Sequence, residues 1–285
     1  MPELEVLSIE FDGHVATVWL DRPEARNAMG PAFWDDLTVA MTEVSADANI
    51  RAVVVAARGP HFSVGLDLKA MAGLLTGGDG RGTGTERASG DGPPSMAVRA
   101  VAARAGVKRL QHSISSVADC PKPVLAAIHG YCIGGGVDLA SACDIRLASA
   151  DAVFSVRETK VAIVADLGSL QRLPHIIGKG HVAELAFTGK DITAARAKEI
   201  GLVNEVFADA DAVVSGARAM AAEIASNSPL AVEGTKAVLT AGEGRSVAEG
   251  LDYVAAWNAG FLQSDDLVEA MAAFMAKRPP EFRGR

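Results

Sequence analysis

The sequence predicts an α/β fold with an at least partly parallel sheet, and three observations carry that expectation. Val15–Leu20, Ala52–Ala57 and Val124–Ile128 are short apolar runs bounded by turn residues, the profile of buried strands. Longer stretches with helical spacing lie between them, so strands and helices alternate along the chain. From about residue 211 the pattern becomes continuously helical, as in a packing or self-association region appended to an α/β body.

Taken in order, Val15–Leu20 leads into the turn-rich stretch 21–27 and then a helix from about Pro31. Ala52–Ala57 stops at Arg58-Gly59-Pro60. Segment 76–94 is Gly-rich with almost no apolar residue to anchor it, and is expected to be a mobile surface loop. Met96–Ala118 places Val98, Val101, Ala105, Leu110, Ile114 and Val117 at helical spacing. Its Arg99, Arg104, Lys108 and Arg109 form either a solvated face or a wall towards phosphate. Val124–Ile128 is entered through Pro121-Lys122-Pro123 and left at His129-Gly130. In the last helix Ser264 suits the cap, Asp265 and Asp266 the first turn, Lys277 and Arg278 the last, and Pro279-Pro280 the stop. No internal repeat is evident at the level of sequence.

Composition removes several function classes. At 285 residues, 49% hydrophobic and 22% charged, the chain can bury a sizeable core. Its formal net charge of −8 argues against nucleic acid or an anionic membrane as the main partner, though a phosphorylated ligand can still sit on a local cluster of Arg and Lys. Cys120, Cys132 and Cys143 form no CxxC pair, so reduced thiols and a cytoplasmic setting are expected. The acidic start is unlike a signal peptide, and no apolar run reaches the roughly 18 residues of a membrane span.

Chemistry concentrates after two strands. Val124–Ile128 feeds a Gly-rich turn, Gly134-Gly135-Gly136, which opens a helix of small residues. Glycine admits close approach of a ligand to the backbone, and a helix start offers unpaired N–H groups that favour negative charge. The dinucleotide fingerprint fails on spacing, because Leu139 stands at the third glycine position. A second Gly turn, His61-Phe62-Ser63-Val64-Gly65-Leu66-Asp67-Leu68-Lys69, follows Ala52–Ala57. Such turns converge at one end of a sheet in α/β ligand sites, where paired N–H donors can form an oxyanion hole; two ordinary strand–helix turns are the structural alternative.

Three acids stand in apolar surroundings. Asp138 lies inside the Gly-opened helix, Glu158 follows the strand-like stretch 152–156, and Asp166 lies in the nearly uncharged run 161–170. A carboxylate buried without a partner is costly, so each is either paired or functional. Asp144, beside Ile145-Arg146, reads as a structural cap or ion pair. GxSxG and HExxH are both missing and the six histidines are scattered, so no metal site is expected.

Arg22-Pro23-Glu24-Ala25-Arg26-Asn27-Ala28, the His61–Lys69 turn, the 121–144 run and Gln171-Arg172-Leu173-Pro174 together resemble the crotonase (enoyl-CoA hydratase/isomerase) superfamily from about Glu5 to the end. That resemblance implies a spiral core of repeated ββα turns over 1–210 that binds acyl-coenzyme A, and a helical region over 211–285 that builds a trimer or dimer of trimers. It implies backbone N–H donors at Leu66 and Gly135, a basic residue near the CoA phosphates at Arg26, and a CoA path along Gly65, Asp67, Leu68 and Lys69. No separate cofactor is implied, because coenzyme A is part of the substrate. The acid triple Asp138, Glu158, Asp166 is similar to that of Δ3,5-Δ2,4-dienoyl-CoA isomerases, whereas hydratases carry Glu at the first position and usually Gly at the third. By that resemblance Glu158 takes a proton from C2 and Asp166 delivers one to C6; Asp138, expected near Glu158, is read as orienting it and modulating its pKa through like-charge repulsion. Ala162 departs from the glycine usual there. The alternatives are an enoyl-CoA hydratase or Δ3-Δ2 isomerase on the same scaffold and, from another class, a non-catalytic CoA- or RNA-binding relative.

Overall fold

The computed structural model describes residues 3–73 and 95–285; segment 76–94, expected as a loop, lies outside them. Six strands form the main sheet in the order β1 (Leu7–Asp12), β2 (Val15–Leu20), β3 (Ala52–Ala57), β4 (Val124–Ile128), β6 (Ile145–Ser149), β9 (Glu205–Phe207). The β1–β2 pair is antiparallel and every later pair is parallel. A smaller sheet joins β5 (Tyr131–Ile133), β7 (Val153–Ser155) and β8 (Ile192–Thr193).

The central strands β2, β3 and β4 read as almost wholly apolar and are buried throughout, because both faces of the main sheet are covered there. Val53, Val55, Ala126 and Ile128 point into the larger core with α1 (Pro31–Ala46), α2 (Met96–Ala118) and α3 (Gly135–Ala142). The alternate residues Ala52, Val54, Leu125 and Ala127 meet Val213, Ala217, Ala221 and Ala225 of the helix Ala210–Ala225 on the other face. Small residues on that helix let it lie close against the sheet. Core packing therefore continues past residue 210 to Ala225.

The spiral lies in the geometry rather than in the letters. After β3, Ser63 bridges to Cys132 of β5; after β4 comes β5; after β6 comes β7. Each turn thus contributes one stretch to the main sheet and one to the small sheet before its helix or helical turn. The small-sheet pieces are one to three residues long, too short for any periodicity, which is why no repeat is evident in the sequence.

Candidate active site

Pairing in the small sheet brings the two Gly turns together. Ser63 N–H donates to Tyr131 O (2.9 Å), Ile133 N–H to Ser63 O (3.0 Å) and Gly134 N–H to Ser155 O (2.9 Å). Gly65 and Gly135 consequently face one another: a Cβ on Gly65 would lie 2.7 Å from Ile133 O and 3.3 Å from Gly135 N, and its φ of +84° suits glycine alone. Among the described residues the N–H groups of Leu66 and Gly135 have no hydrogen-bond partner, while their neighbours Gly65, Asp67 and Gly134 are all paired. Two free donors beside one gap can take a developing negative charge.

The 22–28 stretch serves as the brace for the first turn. Buried Asn27 donates through Nδ2 to Arg58 O (2.9 Å) and His61 O (2.8 Å), and its carbonyl accepts from the Ser63 hydroxyl (2.8 Å). Met29 N–H donates to Gly65 O (2.8 Å) and Asp67 N–H to Met29 O (3.0 Å). Arg26 is exposed, in the left-handed region at φ 55°, close enough for its charge to help depress the His61 pKa, which burial lowers most. Asp67 faces Arg22 (3.0 Å) and the Ala70 N–H (3.0 Å), while Leu68 and Lys69 are exposed beyond it. Asn27 stands in the 22–28 motif with no role assigned from the sequence; the structure makes it the scaffold of the first turn.

The three acids lie within charge reach of one another, the charges of Asp138 and Asp166 both acting on Glu158. Glu158 opens a short 3-10 turn, Glu158–Val161, and its carboxylate lies over Gly134, with Oε1 3.3 Å from where a Cβ would stand. Its Oε2 is buried with no hydrogen-bond partner, and burial first, then the Asp138 charge, pushes its pKa up to about 7. Asp138 is 1% exposed; burial raises its pKa to about 6, against the opposing hydrogen bond from Ser169 N–H (2.6 Å). Asp166 is exposed by surface area, yet partial desolvation still raises its pKa. Asp138 accepts from Ser169 N–H, and its charge is the second cause that raises the Glu158 pKa.

Asp144 is structural: its Oδ2 accepts from Val124 N–H (2.7 Å) and Lys236 Nζ (2.7 Å).

A neutral-range base beside two free donors is the kind of site that takes a proton from carbon and stabilises the resulting oxyanion. The enoyl-CoA hydratase/isomerase family model matches residues 10–86 and 88–285. The chain belongs to this family. Among relatives in the family, the peroxisomal Delta(3,5)-Delta(2,4)-dienoyl-CoA isomerase of Arabidopsis thaliana is 41% identical over 98% of this chain and 96% of its own. The mitochondrial enzyme of that name from Rattus norvegicus is 44% identical over 93% of this chain and 77% of its own. A crystal structure of enoyl-CoA hydratase from Bacillus anthracis superposes with a TM-score of 0.85 at 31% identity, over 99% of this chain and 100% of that one.

These relatives overturn the expectation of a simply cytoplasmic protein, since they are named peroxisomal and mitochondrial. The inference failed because Cys120, Cys132 and Cys143, all free and buried, speak to the lack of disulfides and not to a compartment. Among the described residues no helix is long and apolar enough to cross a membrane.

Proposed function

We propose that this chain isomerises 3,5-dienoyl-CoA to 2,4-dienoyl-CoA through an enolate whose oxygen is held by the backbone N–H groups of Leu66 and Gly135. Glu158 removes the C2 proton, and Asp166 gives a proton to C6. The C2–H electron pair moves into the conjugated enolate, the double bonds shift by one carbon, and the C6–H bond closes the balance. Glu158 ends protonated and Asp166 ionised, so a proton returns from one to the other through solvent before the next turnover.

The single observation that carries this reading is a third acid beside the Asp138–Glu158 pair. Proton transfer at two separated carbons needs two groups, and Asp166 lies at the open edge while Glu158 lies beside the donors. Its raised pKa favours the protonated form that donation requires. Relatives 41–44% identical that are named dienoyl-CoA isomerases support the same assignment. Asp138, charged and close, keeps Glu158 basic enough to act near neutrality. Arg26, Gly65, Asp67, Leu68 and Lys69 are assigned to the coenzyme A moiety, Arg26 to its phosphates and the turn to its pantetheine and adenine. Coenzyme A enters as part of the substrate and no further cofactor is assigned.

Self-association belongs to the same proposal, as a trimer or dimer of trimers through the C-terminal helices. The exposed apolar side chains Leu251, Val268, Met271, Phe274 and Met275 support it.

The test is the rise of the conjugated 2,4-dienoyl thioester chromophore on adding 3,5-dienoyl-CoA. Wild type is expected to be active, and Glu158→Gln and Asp166→Asn each to lose roughly 10²-fold or more in kcat. A wild type that ignores the diene and hydrates a 2-enoyl-CoA would transfer the assignment to the hydratases of this family.

A further inference from the structure

Segment 166–168 must hold Asp166 at a fixed distance from the donors, and it lacks regular structure of its own to do so. Its fixings come from elsewhere. Gln111 of α2 donates through Nε2 to Asp166 O (2.6 Å). Arg172, on the helix Ser169–Ile176, donates through Nη1 to Leu167 O (3.3 Å) and through Nη2 to the Ser115 hydroxyl of α2 (3.1 Å). Ser169 N–H is held by Asp138. The Asp166 carboxyl itself accepts no side-chain hydrogen bond among the described residues, so its place depends on the backbone beneath it.

The Arg172 contact is built into the chain. Gly168 has φ +129°, and a Cβ there would stand 1.8 Å from Nη1 of Arg172. The guanidinium therefore crosses directly over the glycine, and only a residue without a side chain lets it reach both Leu167 O and Ser115. A planar fork with several fixed donors suits that bridge, whereas an ammonium supplies a single point. The charged groups around this segment are Asp138 and Asp166, with Glu158 across the gap and Arg172 the cation that acts on Asp138.

We propose that Arg172 is a positioning residue for the second proton transfer: by tying Leu167 to α2 across Gly168 it fixes Asp166 for delivery at C6, without governing the C2 step at Glu158. This rests on the isomerase reading above. It predicts a separation of the two half-reactions that general loosening of the fold would not produce.

The experiment follows 3,5-dienoyl-CoA in D₂O, measuring deuterium entry at C2 of recovered substrate against formation of 2,4-diene. Arg172→Gln is expected to lower isomerisation by roughly 10–100-fold, with KM within about twofold, while C2 exchange persists. The ratio of exchange to isomerisation then rises by a similar factor. Arg172→Lys should recover part of the loss, and Gln111→Leu should move the ratio in the same direction. An unchanged ratio in Arg172→Gln, with both steps falling together or neither falling, overturns the proposal. A wild type that neither exchanges C2 nor isomerises the diene sinks the isomerase reading instead, and the two failures are distinct.

Discussion

At the scale of single residues the site turns on how three carboxyls share charge. Burial raises both Asp138 and Glu158; the Asp138 charge adds to the rise at Glu158, and the Asp166 charge to the rise at Asp138. In the proposed reaction Glu158 acts as a base only when ionised, so the acidic limb of kcat/KM is expected to follow its pKa, about 7. Asp138→Asn removes the like charge but keeps an oxygen that can accept from Ser169 N–H. With the repulsion gone the Glu158 pKa falls, and the acidic limb is expected to move to lower pH by roughly one unit. A pH–rate profile identical to wild type would show that Asp138 does not tune the base. The three acids were legible in the sequence because carboxylates in apolar stretches carry a cost that composition alone reveals. Arg172 was not legible as a positioning group. Its contact depends on a glycine four residues earlier at an unusual φ and on Ser115, 57 positions away, and no local pattern encodes either.

At the scale of elements, the two Gly turns are set by strand pairing of very short pieces. Gly65 is the joint: substituting alanine places a side chain at φ +84° and a methyl 2.7 Å from Ile133 O. The left-handed conformation alone costs about 1–2 kcal/mol, and relieving the contact pushes Leu66 away from Gly135. Gly65→Ala is expected to lower Tm and to reduce kcat by roughly 10²–10³, the size of one lost oxyanion donor. Thermal melting followed by circular dichroism, with the diene assay on the folded variant, reads both. A lowered Tm with unaltered kcat would detach this donor pair from the chemistry. The long elements were readable: β2, β3, β4 and α2 begin and end where apolar runs and turn residues place them. Of the small sheet only β7 is legible in the sequence, because one to three residues give no period, and its pairing is what makes the turns converge.

At the scale of the whole molecule, the C-terminal helices divide into one that completes the core and others that do not. Ala210–Ala225 lies on the main sheet with four buried small or β-branched residues, a role hidden from sequence because a helix's buried stripe does not say which sheet it meets. The last helix, Asp265–Ala276, is held at its start by Asp266, whose carboxylate accepts from the Ser228 hydroxyl (2.7 Å) and from the N–H groups of Arg283 (2.8 Å) and Gly284 (3.1 Å). Beyond that anchor it presents Val268, Met271, Phe274 and Met275 to solvent, with Phe274 and Met275 each 82% exposed. The preceding helix, Val247–Phe261, adds Val247, Leu251 and Phe261. Large apolar side chains at i, i+3 and i+7 on a well-capped helix have a burial free energy that an isolated chain would forgo, at about 25 cal/mol per Å². Wild type is therefore expected to sediment at three or six times 29.4 kDa. Paired Met271→Asp and Phe274→Asp substitutions, which put two charges into that face, should return it to the single-chain mass with its helical circular dichroism intact. A wild-type protein that sediments as one chain would mean that these faces serve something other than self-association.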